Sequence, residues 1–253
     1  MNIENDSEPQ CPAPGLGHTA TASESKNRAV CRDCGSDIAF DLLAIQSIPG
    51  IFGEILHSLK PTICSKCDQR RCDAERAAIL DGRTALYQRM VPALYAESDE
   101  RRLPAAQLER AKRWQWGPKG LVMHGKPGMG KTRILWIVIR QMVMDGYHPT
   151  VLSCHELAAK SARLSRGDEN PFDWKEDLLK ADALCIDDFG KFKVTERFET
   201  DIYDLFEGFT SYGKPILLTT NGTASVLAPQ FSADRGPAIL RRIIDYCTPI
   251  SFL

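Results

Sequence analysis

The octapeptide GKPGMGKT, at Gly125 to Thr132, limits what this chain can fold into more than any other feature. It fits the pattern G-x-x-x-x-G-K-[ST], follows the short apolar run LVMHG and opens a segment with helical spacing. Glycines there let the backbone curl until successive N–H groups point at phosphate oxygens, and the next helix N-terminus adds positive partial charge. A chance match somewhere in a chain of this composition has odds of about 1 in 100, before the flanking strand and helix are counted. The spacing therefore predicts that Gly125, Lys126, Pro127, Gly128, Met129, Gly130, Lys131 and Thr132 cradle a nucleoside triphosphate. Lys131 is expected on the β- and γ-phosphates and the Thr132 hydroxyl on Mg²⁺.

From Gly117 onward, apolar runs alternate with helical patterns. The runs are 121–125, 150–154, 183–187, 216–220 and 248–252; the helical segments are 131–144, 155–164, 196–210 and 237–246. This alternation predicts an α/β fold, a five-stranded parallel sheet with helices on both faces. The stripe from Phe198 to Phe209 reads as core. The run ALCID ends in Asp187 and Asp188 follows it, about 55 residues past the phosphate loop. Asp187 is expected to hold Mg²⁺ through water, and Asp188 to orient and polarise an attacking water. Asn221 follows the buried run ILLTT and reads either as a sensor of the γ-phosphate and attacking water or as a turn residue before glycine. Arg241 and Arg242 lie on the last helix. In a monomer they are a solvated basic end; in an oligomer one of them, with Arg242 preferred, enters a neighbour's site.

Nine cysteines demand a separate account, because six of them precede residue 73. Cys31-x-x-Cys34 and Cys64-x-x-Cys67 are two knuckles 29 residues apart, each able to supply two thiolates to a tetrahedral ion, so they are read as a structural Zn²⁺ site. His57 and Cys72 rank second as ligands. Cys154, Cys185 and Cys247 sit in or beside apolar runs and read as core thiols.

The formal charge of -1 conceals an uneven distribution. Residues 1–59 carry three basic and eight acidic side chains, and residues 60–119 carry thirteen and eight. The overall balance excludes a polycation that binds nucleic acid with its whole surface. Local candidates remain for single-stranded DNA. Arg70, Arg71, Arg76, Arg110, Lys112 and Arg113 lie near Trp114 and Trp116, although a solvated helix face explains them equally well; Lys191-Phe192-Lys193 is the second candidate. No apolar run reaches the roughly 20 residues of a spanning helix, and the polar start has no signal-peptide pattern, so a soluble, cytoplasmic protein is expected. The division read from composition is a disordered leader over 1–28, a zinc module over 29–75, a helical connector over 76–116 and the nucleotide-binding core over 117–253. A helical pattern from Asp73 to Ala96 is interrupted at Gly82 and Pro92, and Glu97–Arg102 is the linker candidate.

In this order, Pro92-x-x-Tyr95, the phosphate loop, the double aspartate, TTN with Asn221 and the arginine-bearing helix before a last strand resemble the AAA+ ATPases. More narrowly they resemble the bacterial replicative-helicase loaders of the DnaC/DnaI kind, over about residues 92–253. The resemblance implies ATP and Mg²⁺ as cofactors and ATP hydrolysis through Lys131, Asp188, Asn221 and Arg242. It implies an ATP-dependent oligomer, a replicative DNA helicase and single-stranded DNA as partners, and an AAA+ core without a C-terminal helical lid. Some loaders of the DnaI kind also carry an N-terminal zinc domain that contacts the helicase. The sequence departs from the family at Gly208-Phe209-Thr210, where an arginine and an aromatic are common. Two rivals share the core: a transposition-helper ATPase of the IstB kind, and an ATP-binding regulatory protein with negligible hydrolysis.

Overall fold

Two short strands that hydropathy does not announce, β1 (Asn27–Val30) and β2 (Asp37–Phe40), pair antiparallel with Val30 opposite Asp37. They belong to a computed structural model that describes residues 27–40, 61–167, 170–191 and 194–252 and divides into two units, Met1–Asp81 and Gly82–Leu253. The expected leader therefore lies outside the described residues up to position 26, and Asn27 and Arg28 are already in β1. In the first unit the β1–β2 turn is closed by Cys31 N–H donating to Ser36 O at 2.9 Å, with Gly35 at φ +72°. Helix α1 (Ser65–Met90) begins inside the second cysteine pair, and Arg71 on it pairs with Asp33 at 2.8 Å. The expected break at Gly82 does not occur. One glycine costs about 1 kcal/mol in a helix, too little to stop a run of good helix formers. The helix ends where Pro92 disfavours helical geometry at Val91.

The second unit starts well before the expected core boundary at 117. Tyr87, Val91, Leu103, Leu108 and Ala111 are buried in one cluster with Leu121 and Ile134. Short α2 (Ala93–Ala96) and α3 (Ala105–Lys112) thus form part of the same body as the sheet. Glu97–Arg102 looks like a linker by composition, yet its charges are used locally. Asp99 caps a 3₁₀ turn over Glu100–Arg102, and Lys112 pairs with Glu100 at 2.6 Å.

The remaining elements are β3 (Gly120–Gly125), α4 (Lys131–Met144), β4 (Pro149–Ser153), α5 (Cys154–Ser165), α6 (Pro171–Lys180), β5 (Ala183–Phe189), α7 (Glu196–Ser211), β6 (Ile216–Thr220), short α8 (Ala224–Leu227), α9 (Gly236–Tyr246) and β7 (Cys247–Phe252). The sheet is five-stranded and parallel, in the order β4-β5-β6-β3-β7, as the alternation predicts. Strand β3 shows how one pattern serves two cores. Leu121 and Met123 pack with Ile134, Val138 and Ile139 of α4, whereas Val122 faces the opposite layer of Phe198, Ile202, Phe206, Phe209, Ile239 and Ile243. The phenylalanine stripe is core, as expected. Cys154, Cys185 and Cys247 are buried, and burial pushes the Cys247 thiol up to about 12. Helix α6 escapes the sequence reading. It is tied to its neighbours through Asp201 of α7, which is fully buried. Asp201 accepts from Ser161 Oγ at 2.6 Å and Arg197 Nε at 3.0 Å, and Lys175 of α6 stands 3.5 Å away.

Removing that carboxylate leaves two cations facing a buried gap. Because Arg197 and Lys175 reach solvent, Asp201→Ala is expected to cost about 3 kcal/mol, the low end for a broken buried pair. Urea unfolding measures it, and Asp201→Asn is expected to cost less.

Candidate functional site

All five parallel strands point their carboxyl ends the same way, so the loops after β3, β5 and β6 converge although their residues are far apart in sequence. The loop after β3 is built from left-handed glycines: Gly125 at φ +134°, Gly128 at +77° and Gly130 at +86°. At Gly125 the backbone also leaves no space, since a Cβ would sit 1.9 Å from Phe252 O. The neighbouring Lys126 N–H donates to that same oxygen at 2.9 Å, which fixes the loop to the end of β7. Helix α4 then starts at Lys131 directly beneath the curl.

Lys131 is 94% buried, and its ammonium donates to Gly125 O and Lys126 O at 2.8 Å each and to Asn221 Oδ1 at 2.9 Å. Burial lowers the Lys131 pKa first and the Lys191 cation lowers it further, while Asp188 and Asp187 oppose the shift. The structure thus brings Asn221 to Lys131. It also brings Asp187 to Thr132, whose hydroxyl donates to Asp187 Oδ1 at 2.9 Å.

The double aspartate is shaped by a β-bulge. Ladder pairing of β5 with β6 passes from Ile186–Leu218 to Phe189–Thr220, so Asp187 and Asp188 together oppose Thr219. Asp188 takes φ +57°, the only described non-glycine residue at positive φ, a conformation that Asp tolerates better than most. Thr219 is fully buried and holds both aspartates. Its Oγ1 accepts from Asp188 N–H at 2.8 Å and donates to Asp187 Oδ1 in a short contact. The sequence reading missed Thr219, because a threonine in a buried run reads as packing; the β-branched pair after ILL is the only trace. Asp188 itself pairs with Lys191 at 2.8 Å.

Beside the loop lies a cleft of about 670 Å³ lined by Leu94, Arg101, Leu103, Pro104, Gly130 and Arg133, among others. Arg133 donates to Leu94 O at 3.1 Å and stacks 5.7 Å from the Tyr95 ring centre, so Pro92-x-x-Tyr95 sits at this wall. The sequence reading gives none of Leu94, Arg101, Leu103, Pro104 and Arg133 a role in the site.

The two arginines of α9 differ sharply. Arg242 is 19% exposed, pairs with Glu207 of α7, donates to Ala238 O at 3.2 Å and lies 5.0 Å from the Tyr203 ring centre. Arg241 is 82% exposed and pairs with Asp245 at 3.2 Å. Among the described residues their partners are on α7 and α9, so the structure does not join them to the phosphate loop of their own chain.

In the first unit, the sulfurs of Cys31, Cys34, Cys64 and Cys67 all lie within 4.8 Å of one another. Cys34 and Cys64 sulfurs are 3.6 Å apart, too far for a disulfide and near the roughly 3.8 Å edge of a tetrahedron with 2.3 Å metal–sulfur bonds. The Cys64 N–H donates to Cys31 Sγ at 3.3 Å, and that bond holds the Cys31 thiol down at about 6. Cys72 is outside the cluster, and His57 lies outside the described residues.

Residues 101–240, rather more than half of the chain, match the family model described as the bacterial DnaA ATPase domain. The chain belongs to this family. The DnaA-type domain lies wholly within the second unit and contains the phosphate loop, the bulge and Asn221. It is an AAA+ ATP-binding domain. A protein of Mycobacterium tuberculosis described as ATP-binding and located in an insertion sequence is 28% identical over 126 residues, 47% of this chain and 48% of that protein. The chain therefore spans about half the length of that curated relative. Among solved structures, a DnaI is 20% identical with a TM-score of 0.51, covering 64% of this chain and 88% of that one. A protein described as a primosome component of Streptococcus pyogenes serotype M3 gives 14% and 0.53, over 67% and 96%. The AMPPCP-bound DnaA of Aquifex aeolicus gives 17% and 0.50, over 64% and 51%. These likenesses show the fold. Among the described residues no helix is long and apolar enough to cross a membrane.

The Thr219 hydroxyl makes a direct prediction. Thr219→Val keeps the shape but leaves the Asp188 N–H unpaired, so a stability loss of about 1–3 kcal/mol is expected, with Thr219→Ser close to the parent. Denaturant midpoints check it.

Proposed function

We propose that the protein is an ATP-dependent loader of a replicative DNA helicase onto single-stranded DNA, with hydrolysis coupled to assembly and release. The observation that carries the reading is one chain's combination of a DnaA-type ATPase site, in which Lys131, Thr132, Asp187, Asp188 and Asn221 converge, with a four-cysteine cluster in a separate unit. The cleft at Leu103 and Pro104 takes the base and sugar, and Gly125–Thr132 wraps the phosphates. Mg²⁺, held by Thr132 and Asp187, supplies neutralisation of phosphate charge; the two side-chain oxygens are already adjacent. Lys131 contacts the β- and γ-phosphates. Asp188 orients the attacking water and takes its proton, and Asn221 aligns that water and senses the γ-phosphate. Arg242, drawn away from Glu207, neutralises charge in a neighbour's site within an ATP-dependent oligomer, and Arg241 is the alternative. Zn²⁺, held by Cys31, Cys34, Cys64 and Cys67, fixes the first unit as a docking module for the helicase. Lys191 beside Asp188 contacts single-stranded DNA; its companion Lys193 lies outside the described residues.

The insertion-sequence relative favours a second reading, a transposition helper with the same ATPase core. The cysteine cluster favours the loader. Pull-down of the cognate replicative helicase separates them, with Cys31→Ser/Cys34→Ser as the control. The loader reading expects capture by the parent, loss by the double variant and retained ATP binding in both. A parent that ignores the helicase overturns it.

Single-turnover hydrolysis tests the chemistry. Lys131→Ala is expected to lose nucleotide binding. Asp188→Asn is expected to bind ATP normally and hydrolyse it about 100-fold or more slowly. Undiminished hydrolysis by Asp188→Asn would remove Asp188 from the mechanism, and negligible hydrolysis by the parent would make the protein an ATP-binding regulator. Arg242→Ala is expected to slow turnover only under assembling conditions, and Arg241→Ala serves as its comparison. Metal analysis of reduced protein is expected to give about one zinc per chain, falling below half in the double cysteine variant.

A further inference from the structure

The carboxyl ends of the strands carry the nucleotide site, but a second concave surface lies at their amino ends. Strand β3 separates the two, and six residues of strand span about 20 Å. This groove, of about 530 Å³, runs along Arg110, Arg113, Trp114, Trp116 and Lys119 and reaches Thr248 at the start of β7. Trp116 forms its rigid element. One face of the indole stacks on Tyr147 with ring centres 4.6 Å apart and planes 9° from parallel, and Nε1 donates to Asp182 O at 3.1 Å. The ring is held in place and is still 37% exposed. Trp114 is anchored beside it through Nε1 to Lys119 O at 2.7 Å.

The charge around this ring is unbalanced. Arg110, Arg113 and Lys119 are exposed, and among the described residues none of the three has an ion-pair partner, whereas their neighbour Lys112 is paired with Glu100. Arg110 is oriented by donating to Pro249 O at 2.9 Å. Asp182, whose backbone carbonyl holds the indole, has its carboxylate engaged by His148 N–H at 2.6 Å. A tryptophan that only fills a core hides its ring, and cations that only solubilise a helix gain nothing from a fixed indole among them. A flat, pre-stacked ring beside three uncompensated cations suits a polymer that alternates planar rings with anions. Ring stacking is tolerant of base identity and costs little ordering here, because Trp116 is already immobile.

We infer that this groove binds single-stranded DNA, with a base on Trp116 and phosphates on Arg110, Arg113 and Lys119, at a site independent of the nucleotide. The inference rests on the single-stranded DNA partner proposed above and adds a surface remote from Lys191. The full-length protein is titrated with oligo(dT), read by intrinsic tryptophan fluorescence and by anisotropy of labelled oligonucleotide, with and without AMPPCP. Trp116→Ala is expected to weaken binding about tenfold and Trp116→Phe by much less. Arg110→Ala/Arg113→Ala/Lys119→Ala leaves the Trp116–Tyr147 stack intact. It is expected to flatten the slope of log affinity against log salt by about 2, given about 0.7 per single-strand phosphate contact. All variants are expected to keep parental AMPPCP binding. Unchanged oligo(dT) affinity in both the triple and the Trp116→Ala variants overturns the groove alone. A parent that binds no oligo(dT) overturns the DNA partner itself, and parental preference for poly-glutamate over oligo(dT) assigns the groove to an acidic protein instead.

Discussion

The Thr219 hydroxyl holds the two halves of the nucleotide site in register. It is fully buried, it receives the Asp188 N–H, and it donates to the carboxylate that also receives the Thr132 hydroxyl. Strand β6 thereby fixes the bulge on β5, and the bulge fixes the start of helix α4 through Asp187. A ladder without the bulge would send Asp187 and Asp188 to opposite faces of the sheet, because successive strand residues alternate. The local left-handed turn at Asp188 is the conformational cost of presenting two adjacent carboxylates at one strand end, and a buried hydrogen bond in the low-dielectric interior offsets it.

Much of this was readable beforehand for a physical reason. A phosphate loop requires particular residue types at fixed separations, and a two-sided parallel sheet requires nearly unbroken apolar strands, so both leave marks in a single sequence. Lys131, Thr132, Asp187 and Asn221 meet as their spacing suggests. What stayed hidden depends on tertiary partners. Thr219 reads as packing until the bulge places it. Leu103 and Pro104 become a cleft wall only when α3 folds against the loop. The charged stretch Glu97–Arg102 mimics a linker because composition does not reveal that Lys112 waits for Glu100 or that Asp99 caps its own turn. Gly82 signals a break that the helix absorbs, and α6 is too short and polar to stand out.

The arginines of α9 show the limit in another form. The sequence reading prefers Arg242 to Arg241 but gives no hint that Arg242 is tied to Glu207 and lies over Tyr203, while Arg241 extends into solvent. The cysteines behave oppositely. Two C-x₂-C pairs nearly determine their own geometry, because each turn sets its bite, and only the hairpin and the start of α1 are needed to bring them together.

The Lys131 ammonium has three hydrogens, and each already has a protein oxygen: two loop carbonyls and the amide of Asn221. Any anion that Lys131 takes up must therefore replace an acceptor rather than add one. Binding at this lysine is an exchange, and its strength reflects the difference between phosphate and the oxygen displaced. If the displaced group is Asn221, the side chain that leaves is the one positioned between the loop and the strand end of Asp188. Occupancy at the loop after β3 is then felt at the end of the neighbouring strand β6 without any backbone having to move.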